Sequence, residues 1–322
     1  MLVVSLWVIS VLTIFTISVG SQVRQKFVLS ERLDRRGMLY GIAEGGIEAV
    51  MIELKRPDIS VGFDQLSESW SSNEDSFKEI HAGNEGILSI SYPYIEQATS
   101  GGKKEKKIRY GARDEESKIN INLVKPEIIS IVFQALAKLD EDEANEIAYS
   151  IVDWRDPDSF LINPSYGAED DYYDEKEPPY EAKDAPFQVL EELLLVRGMD
   201  EKIFDQVKDY ITIFGSGAVN INTASREILG ALQLSDKAID AILAYRRGTD
   251  NEEATEDDRA FTAPASITSE LSRVYVLPAS DVAVLSSLAA DAILGTESAS
   301  FMIRSVAQFR AMTLEIQAVV EK

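Results

Sequence analysis

Residues 2–19 read LVVSLWVISVLTIFTISV, and no charged side chain occurs before Arg24. A helix of that length reaches the lower limit for crossing a hydrocarbon core of about 30 Å at roughly 1.5 Å per residue. The few Ser and Thr hydroxyls can bond back to the helix backbone, so the segment reads as a membrane helix. A cleaved signal peptide is the rival reading, but no basic region precedes the apolar run and no clear small-x-small site follows it. Arg24, Lys26, Arg32, Arg35 and Arg36 all follow the segment. The positive-inside rule associates that arrangement with a cytoplasmic C-terminal side, so either the orientation is unusual or the natural start lies upstream.

The helical signal continues beyond the membrane. Leu39, Ile42, Ala43, Ile47, Val50, Met51 and Leu54 recur at spacings of three and four, which predicts one long helix running to about Arg56 and ended by Pro57. Apolar all round at first and one-sided later, it suits a rod anchored in lipid at one end and packed on a soluble domain at the other. The plainer alternative is a membrane anchor with a linker helix.

Outward from this helix, the chain of 322 residues has room for more than one domain, and 45% hydrophobic residues supply packed cores. Its formal net charge of −23 opposes general attraction to nucleic acid or anionic lipid and favours cations or basic partners. With no cysteine and one histidine, disulfides, thiol nucleophiles and multi-histidine zinc sites are excluded. A Ser-His-Asp enzyme would have to run through His81, which lies in the polar stretch EIHAGN (79–84) and reads as surface.

Residues 58–112 carry strand-like runs at Ile87–Ile95 and Lys107–Tyr110, with Gly101-Gly102 and the lysines that follow as a hairpin tip. An internal repeat comes next. Asn120-Ile121-Asn122 recurs as Asn220-Ile221-Asn222, Glu127-Ile128 aligns with Glu227-Ile228, and ANEIAYSIVDWR (144–155) matches AIDAILAYR (238–246) in apolar spacing and its aromatic-Arg end. Each copy reads as an extended lead-in and two helices, and a third helix pair is expected at 187–196 and 201–211. The last runs, SFMIRSVAQ (300–308) and TLEIQAVV (313–320), are strand-like again. The fold class is therefore α+β: a long N-terminal helix on a sheet, with a helical block inserted between early and late strands. The expected boundaries are 1–23 for the membrane part, 24–112 for the helix and first strands, 113–270 for the insert with an acidic loop at 153–184, and 271–322 for the final strands.

The repeats resemble helix-hairpin-helix modules, but the turn at 230–236 lacks the paired glycines through which backbone N–H groups approach a phosphate. With an acid-rich stretch at 250–258 as well, they read as structural, and no nucleic-acid partner is expected. The densest chemistry is Asp153–Asp184, eleven carboxylates against three basic residues. Oxygen-rich clusters without histidine or cysteine suit a hard cation, calcium above all, although the EF-hand spacing is absent. A solvated acidic loop is the alternative, and Asp184 has a rival role as a helix cap before Pro186. Paired carboxylates also serve glycoside hydrolysis, but nothing suggests a sugar cleft and no enzyme is expected.

At this point the motifs carry a resemblance. Ala43–Ala49 (AEGGIEA), Asp114–Asn122 (DEESKININ), Asp153–Asp158 (DWRDPD), Gly167–Tyr173 (GAEDDYY), Pro178–Tyr180, Ala182–Phe187 (AKDAPF), Leu190–Gly198 (LEELLLVRG) and Val219–Ala224 (VNINTA) follow in order. The chain resembles the K-type minor pseudopilins of type II secretion systems. The resemblance implies a pilin-like frame, a long N-terminal helix on an antiparallel sheet, with a large all-α domain inserted before the last strands. It implies a non-enzymatic subunit at the tip of the pseudopilus beside the I and J minor pseudopilins and other secretion components, starting fibre assembly and supporting export of folded proteins. It also implies a single-pass inner-membrane protein with its soluble part in the periplasm, and calcium in the inserted domain. Carried over residue by residue, the metal candidates are Asp156, Glu169, Asp170, Asp171 and Asp184. Pilin-like precursors carry a short basic leader, so the chain is expected to be a processed form or a fragment. Ser5 stands where major pilins have glutamate, if Met1 is the mature start. A membrane-anchored, calcium-dependent adhesion module is the competing expectation.

Overall fold

The computed structural model describes residues 2–56, 62–96 and 105–322. Helix α1 (Leu2–Leu54) is continuous, exposed along its apolar first third and one-sided afterwards, with Leu39, Ala43, Gly46, Val50 and Leu54 buried. Those positions fall on one face because a helix turns once in 3.6 residues. The expected end at Pro57 lies outside the described residues.

A short helix α2 (Glu74–Phe77) leads to β1 (Ile80–Ala82) and β2 (Gly86–Ile90), followed by β3 (Tyr92–Glu96), β4 (Glu105–Arg109) and β5 (Arg113–Asp114). The run expected as one strand at 87–95 is two. β2 joins the main sheet, whereas β3 pairs with β4 in a separate antiparallel ribbon. Ser91 is the joint between them, its N–H donating to the Arg304 carbonyl. The hairpin tip expected at Gly101-Gly102 falls outside the described residues.

The insert begins at β6 (Ile119–Asn120) and continues through α3 (Pro126–Ala137), α4 (Glu141–Arg155), α5 (Asp170–Tyr173), a 3₁₀ turn at Leu190–Leu195, α6 (Glu201–Val207) and β7 (Ile211–Thr212). A second round follows, with β8 (Val219–Asn220), α7 (Arg226–Ala231), α8 (Asp236–Arg246), α9 (Ile267–Val274), α10 (Ala279–Ala290) and β9 (Leu294–Gly295). The frame then closes with β10 (Ser300–Phe309) and β11 (Met312–Glu321). The main sheet runs β1-β2-β10-β11, all antiparallel, with β5 also on β10.

The two rounds of the insert are built alike. β6 pairs in parallel with β7, and β8 in parallel with β9. In the first round the Asn120 side chain accepts from the Asn122 N–H, and Asn122 grips the Phe187 backbone at both N–H and C=O (2.8 and 3.0 Å). In the second, Asn220 and Asn222 do the same around Phe261, at 2.8 and 3.0 Å. Arg155 closes the first round on the Val124 carbonyl and Arg246 the second on that of Ala224. The helices expected as a third pair are thus the second half of the first repeat, and their counterparts are α9 and α10. The insert accordingly extends beyond the expected boundary at 270. Leu271, Leu285, Leu288 and Leu294 are buried in the same core as Ile119 and Phe133, so the final strands begin only at Ser300.

The frame has its own core, where Val50 and Leu54 of α1 meet Trp70, Leu88, Ile90, Phe301 and Ile303. Gly46 permits the closest approach of helix to sheet. A Cβ there would overlap the Ser305 hydroxyl and lie 2.9 Å from Leu88 Cδ1, and that same hydroxyl donates to the Ala43 carbonyl at 2.7 Å.

Candidate functional site

The acidic loop is organised around a buried carboxylate that the sequence reading passed over. Asp153, in the last turn of α4, is fully buried, and its two oxygens accept from Ile162 N (3.0 Å) and Ala168 N (2.9 Å). These bonds fold 156–168 back onto the end of the helix. Gly167 is required there because a Cβ would run into the Asp153 carboxylate. Beneath the loop, Arg197 donates to the Gly167 carbonyl at 3.0 Å and pairs with Glu146. Trp154, Tyr172, Tyr173 and Tyr180 pack edge to face or tilted, with ring centroids 5.1–6.2 Å apart.

Glu169, the residue after this fold-back, is only 7% exposed, and neither of its oxygens has a hydrogen-bond partner. Desolvation first, then the charges of Asp153, Asp156, Asp184 and Asp170, push its carboxyl up to about 8. Asp153 is raised to about 6, also chiefly by burial, and Asp156 is raised for the same leading reason. A buried carboxylate with unengaged oxygens among like charges is costly as an anion, and a bound cation relieves it.

Of the five metal candidates, Asp156, Asp170 and Asp184 stand close enough to act on Glu169 electrostatically. Asp170 is half committed elsewhere, accepting from Ala182 N at 2.8 Å, and Asp171 is exposed. Asp184 is exposed with a left-handed backbone (φ 50°). Among the described residues no three acidic or histidine side chains converge on one point. The fit to a hard cation therefore rests on donor chemistry: oxygen ligands only, and two desolvated acceptors on Glu169. Asp153 supports this group as the carboxylate that folds the loop, and the signal that could have revealed it was its place three residues before Asp156 at a helix end. His81 is exposed on β1, opposite Ile87.

An exposed apolar helix long enough to cross a membrane, an antiparallel sheet and a two-repeat helical insert define a pilin-like α+β protein. Its insert holds the motifs from Asp153 to Ala224 in their sequence order. Residues 117–216 match the profile of the family described as type II secretion system, protein K. The chain is 35% identical over 116 residues to the type II secretion system protein K of Aeromonas hydrophila, covering 34% of this chain and 35% of that one. It is 27% identical over 128 residues to the putative type II secretion system protein K of Escherichia coli K12, covering 36% and 38%. The chain spans about a third of the length of these relatives in the matched segments. Among solved structures it resembles a chain of the GspK-GspI-GspJ complex from the enterotoxigenic Escherichia coli type 2 secretion system. The TM-score is 0.63 at 19% identity, over 91% of this chain and 93% of that one, and the two share the fold.

Proposed function

We propose that this protein is the K-type minor pseudopilin of a type II secretion system. In this reading it is a non-enzymatic subunit, anchored in the inner membrane by α1 with its soluble part in the periplasm. It sits at the tip of the pseudopilus with I and J minor pseudopilins, starts fibre assembly and supports export of folded proteins. The observation that carries the reading is that the agreement with the GspK-GspI-GspJ chain runs through frame and insert alike, while the family match lies in the insert. Bulk supports the tip position. The insert, residues 119–295, outweighs the frame, and a filament that stacks long helices side by side has no room to repeat it. Full-length protein in detergent, mixed with I and J subunits of the same system, is expected to co-elute with them. No complex at micromolar concentration would refute the reading and favour a free-standing adhesion module.

Calcium in the acidic loop is part of the same proposal, supported by the two unengaged oxygens of Glu169. Bound there, the ion would supply the positive charge that the buried, unengaged Glu169 carboxylate lacks, with Asp156, Asp170 and Asp184 close enough to share it. Calcium is expected to raise the melting temperature, and Glu169→Gln to remove most of the rise. Identical melting curves with calcium and with chelator would sink it.

A further inference from the structure

The sheet has two edges of very different character. One is blunted, since β1 is three residues long and begins just after Glu79, whose φ is 49°. The other is β11, ten residues paired with β10 without a bulge from Met312 to Glu321. Among the described residues no strand pairs with its outer side. The register identifies which groups are free. Lys322 N donates to the Ala299 carbonyl, so the even-numbered residues of β11 turn their N–H and C=O toward β10. Thr313, Glu315, Gln317, Val319 and Glu321 turn theirs outward. Soluble proteins protect long edges with proline, lysine, bulges or short strands. β11 has no proline, no basic residue and no bulge.

Its two faces say what belongs beside it. Met312, Leu314 and Ile316 pack against Leu39 and Ala43 of α1 yet remain half-buried, so the helix covers this apolar stripe incompletely. A neighbouring strand with apolar residues in the same alternation, backed by a helix of its own, would complete the cover. The opposite face presents Thr313, Gln317 and the Arg304–Glu315 ion pair at 2.5 Å, which calls for a polar face on the added strand.

We propose that β11 is a strand-addition site, and that its occupant is a strand of a neighbouring pilin-like subunit, which continues the sheet across the subunit boundary. The choice of occupant rests on the functional reading above, because a pilin-like neighbour brings a strand and a covering helix together. The test uses full-length protein in detergent with I and J subunits and amide hydrogen exchange at single-residue resolution. On complex formation the amides of Thr313, Glu315, Gln317 and Val319 are expected to slow by roughly 100-fold, and those of Leu314, Ile316 and Ala318 to stay as they were. Gln317→Pro removes only an outward N–H and is expected to weaken the complex by about tenfold or more at unchanged melting temperature, whereas Ile316→Pro breaks a bond to β10 and lowers it. A complex that forms with unprotected odd-numbered amides, or at full strength with Gln317→Pro, overturns the edge and leaves the functional reading standing. Absence of any complex overturns both, and self-association of this chain through β11 overturns the choice of occupant.

Discussion

The two asparagine clamps offer a comparison that the protein itself controls, because Asn122→Ala and Asn222→Ala remove the same bonds in different surroundings. Each truncation cuts a pair of bonds to one phenylalanine backbone, at 2.8 and 3.0 Å. Asn222 is 2% exposed and Phe261 fully buried, so the orphaned N–H and C=O in the second repeat have no route to water. Leaving a buried donor or acceptor unmade costs roughly 1–3 kcal/mol, which puts Asn222→Ala at about 3–4 kcal/mol for the two. Asn122 is only half-buried, water re-satisfies part of what is lost, and about 1–2 kcal/mol is expected. At roughly 2–4 °C per kcal/mol for a unit of this size, the melting temperatures should fall by about 6–16 °C and 2–8 °C. The check is thermal and guanidinium unfolding of the full-length chain in detergent, followed by helical circular dichroism. Equal losses, or a larger loss for Asn122→Ala, would refute the reasoning that burial of the clamp sets its worth.

Gly46→Val should destabilise the frame by about 1–3 kcal/mol through overpacking against Ser305 and Leu88, whereas Gly45→Val, with nothing near its Cβ, should be close to neutral; parallel denaturant titrations compare them. Glu253 is approached by the buried guanidiniums of Arg109, Arg246 and Arg247 at 3.6–3.7 Å. Glu253→Gln removes the carboxylate that three buried cations share and should cost about 3 kcal/mol or more, against under about 0.5 kcal/mol for the exposed Glu252→Gln in the same loop. Asp114 is held at about 8 by burial and by the neighbouring Glu116, against 3.8 in an unfolded chain. Its folded form keeps the proton longer, so its contribution is fully present below about pH 4 and is lost as pH rises toward 8. Stability of the wild-type chain should therefore decline with pH more steeply than that of Asp114→Asn across pH 5–8, and an equal or opposite slope in equilibrium unfolding would exclude this role.

The long helix was legible because its evidence is local: an uncharged start, then apolar residues every three or four positions, which force a single buried face on any helix they form. The repeat was legible only in its first half, where Asn-Ile-Asn and the aromatic-Arg helix ends stand in both copies. The second halves share almost no text. Their equivalence comes from Phe187 and Phe261 meeting the same asparagine clamp, 65 and 39 residues along the chain, and from parallel strand pairs that close each round.

The acidic loop divides the same way. Its eleven carboxylates and oxygen-only donor chemistry belong to the composition, and that much the amino-acid sequence determined by itself. That Glu169 is the stranded carboxylate, with Asp153 spent on two backbone N–H groups, was decided by tertiary structure alone, because desolvation depends on what packs around a group rather than on its neighbours in the chain. The free edge is similar. Alternation in 313–320 identified a strand, but which side of β11 lacks a partner follows only from the order of strands in the sheet, since backbone donors carry no signature in the residues that bear them.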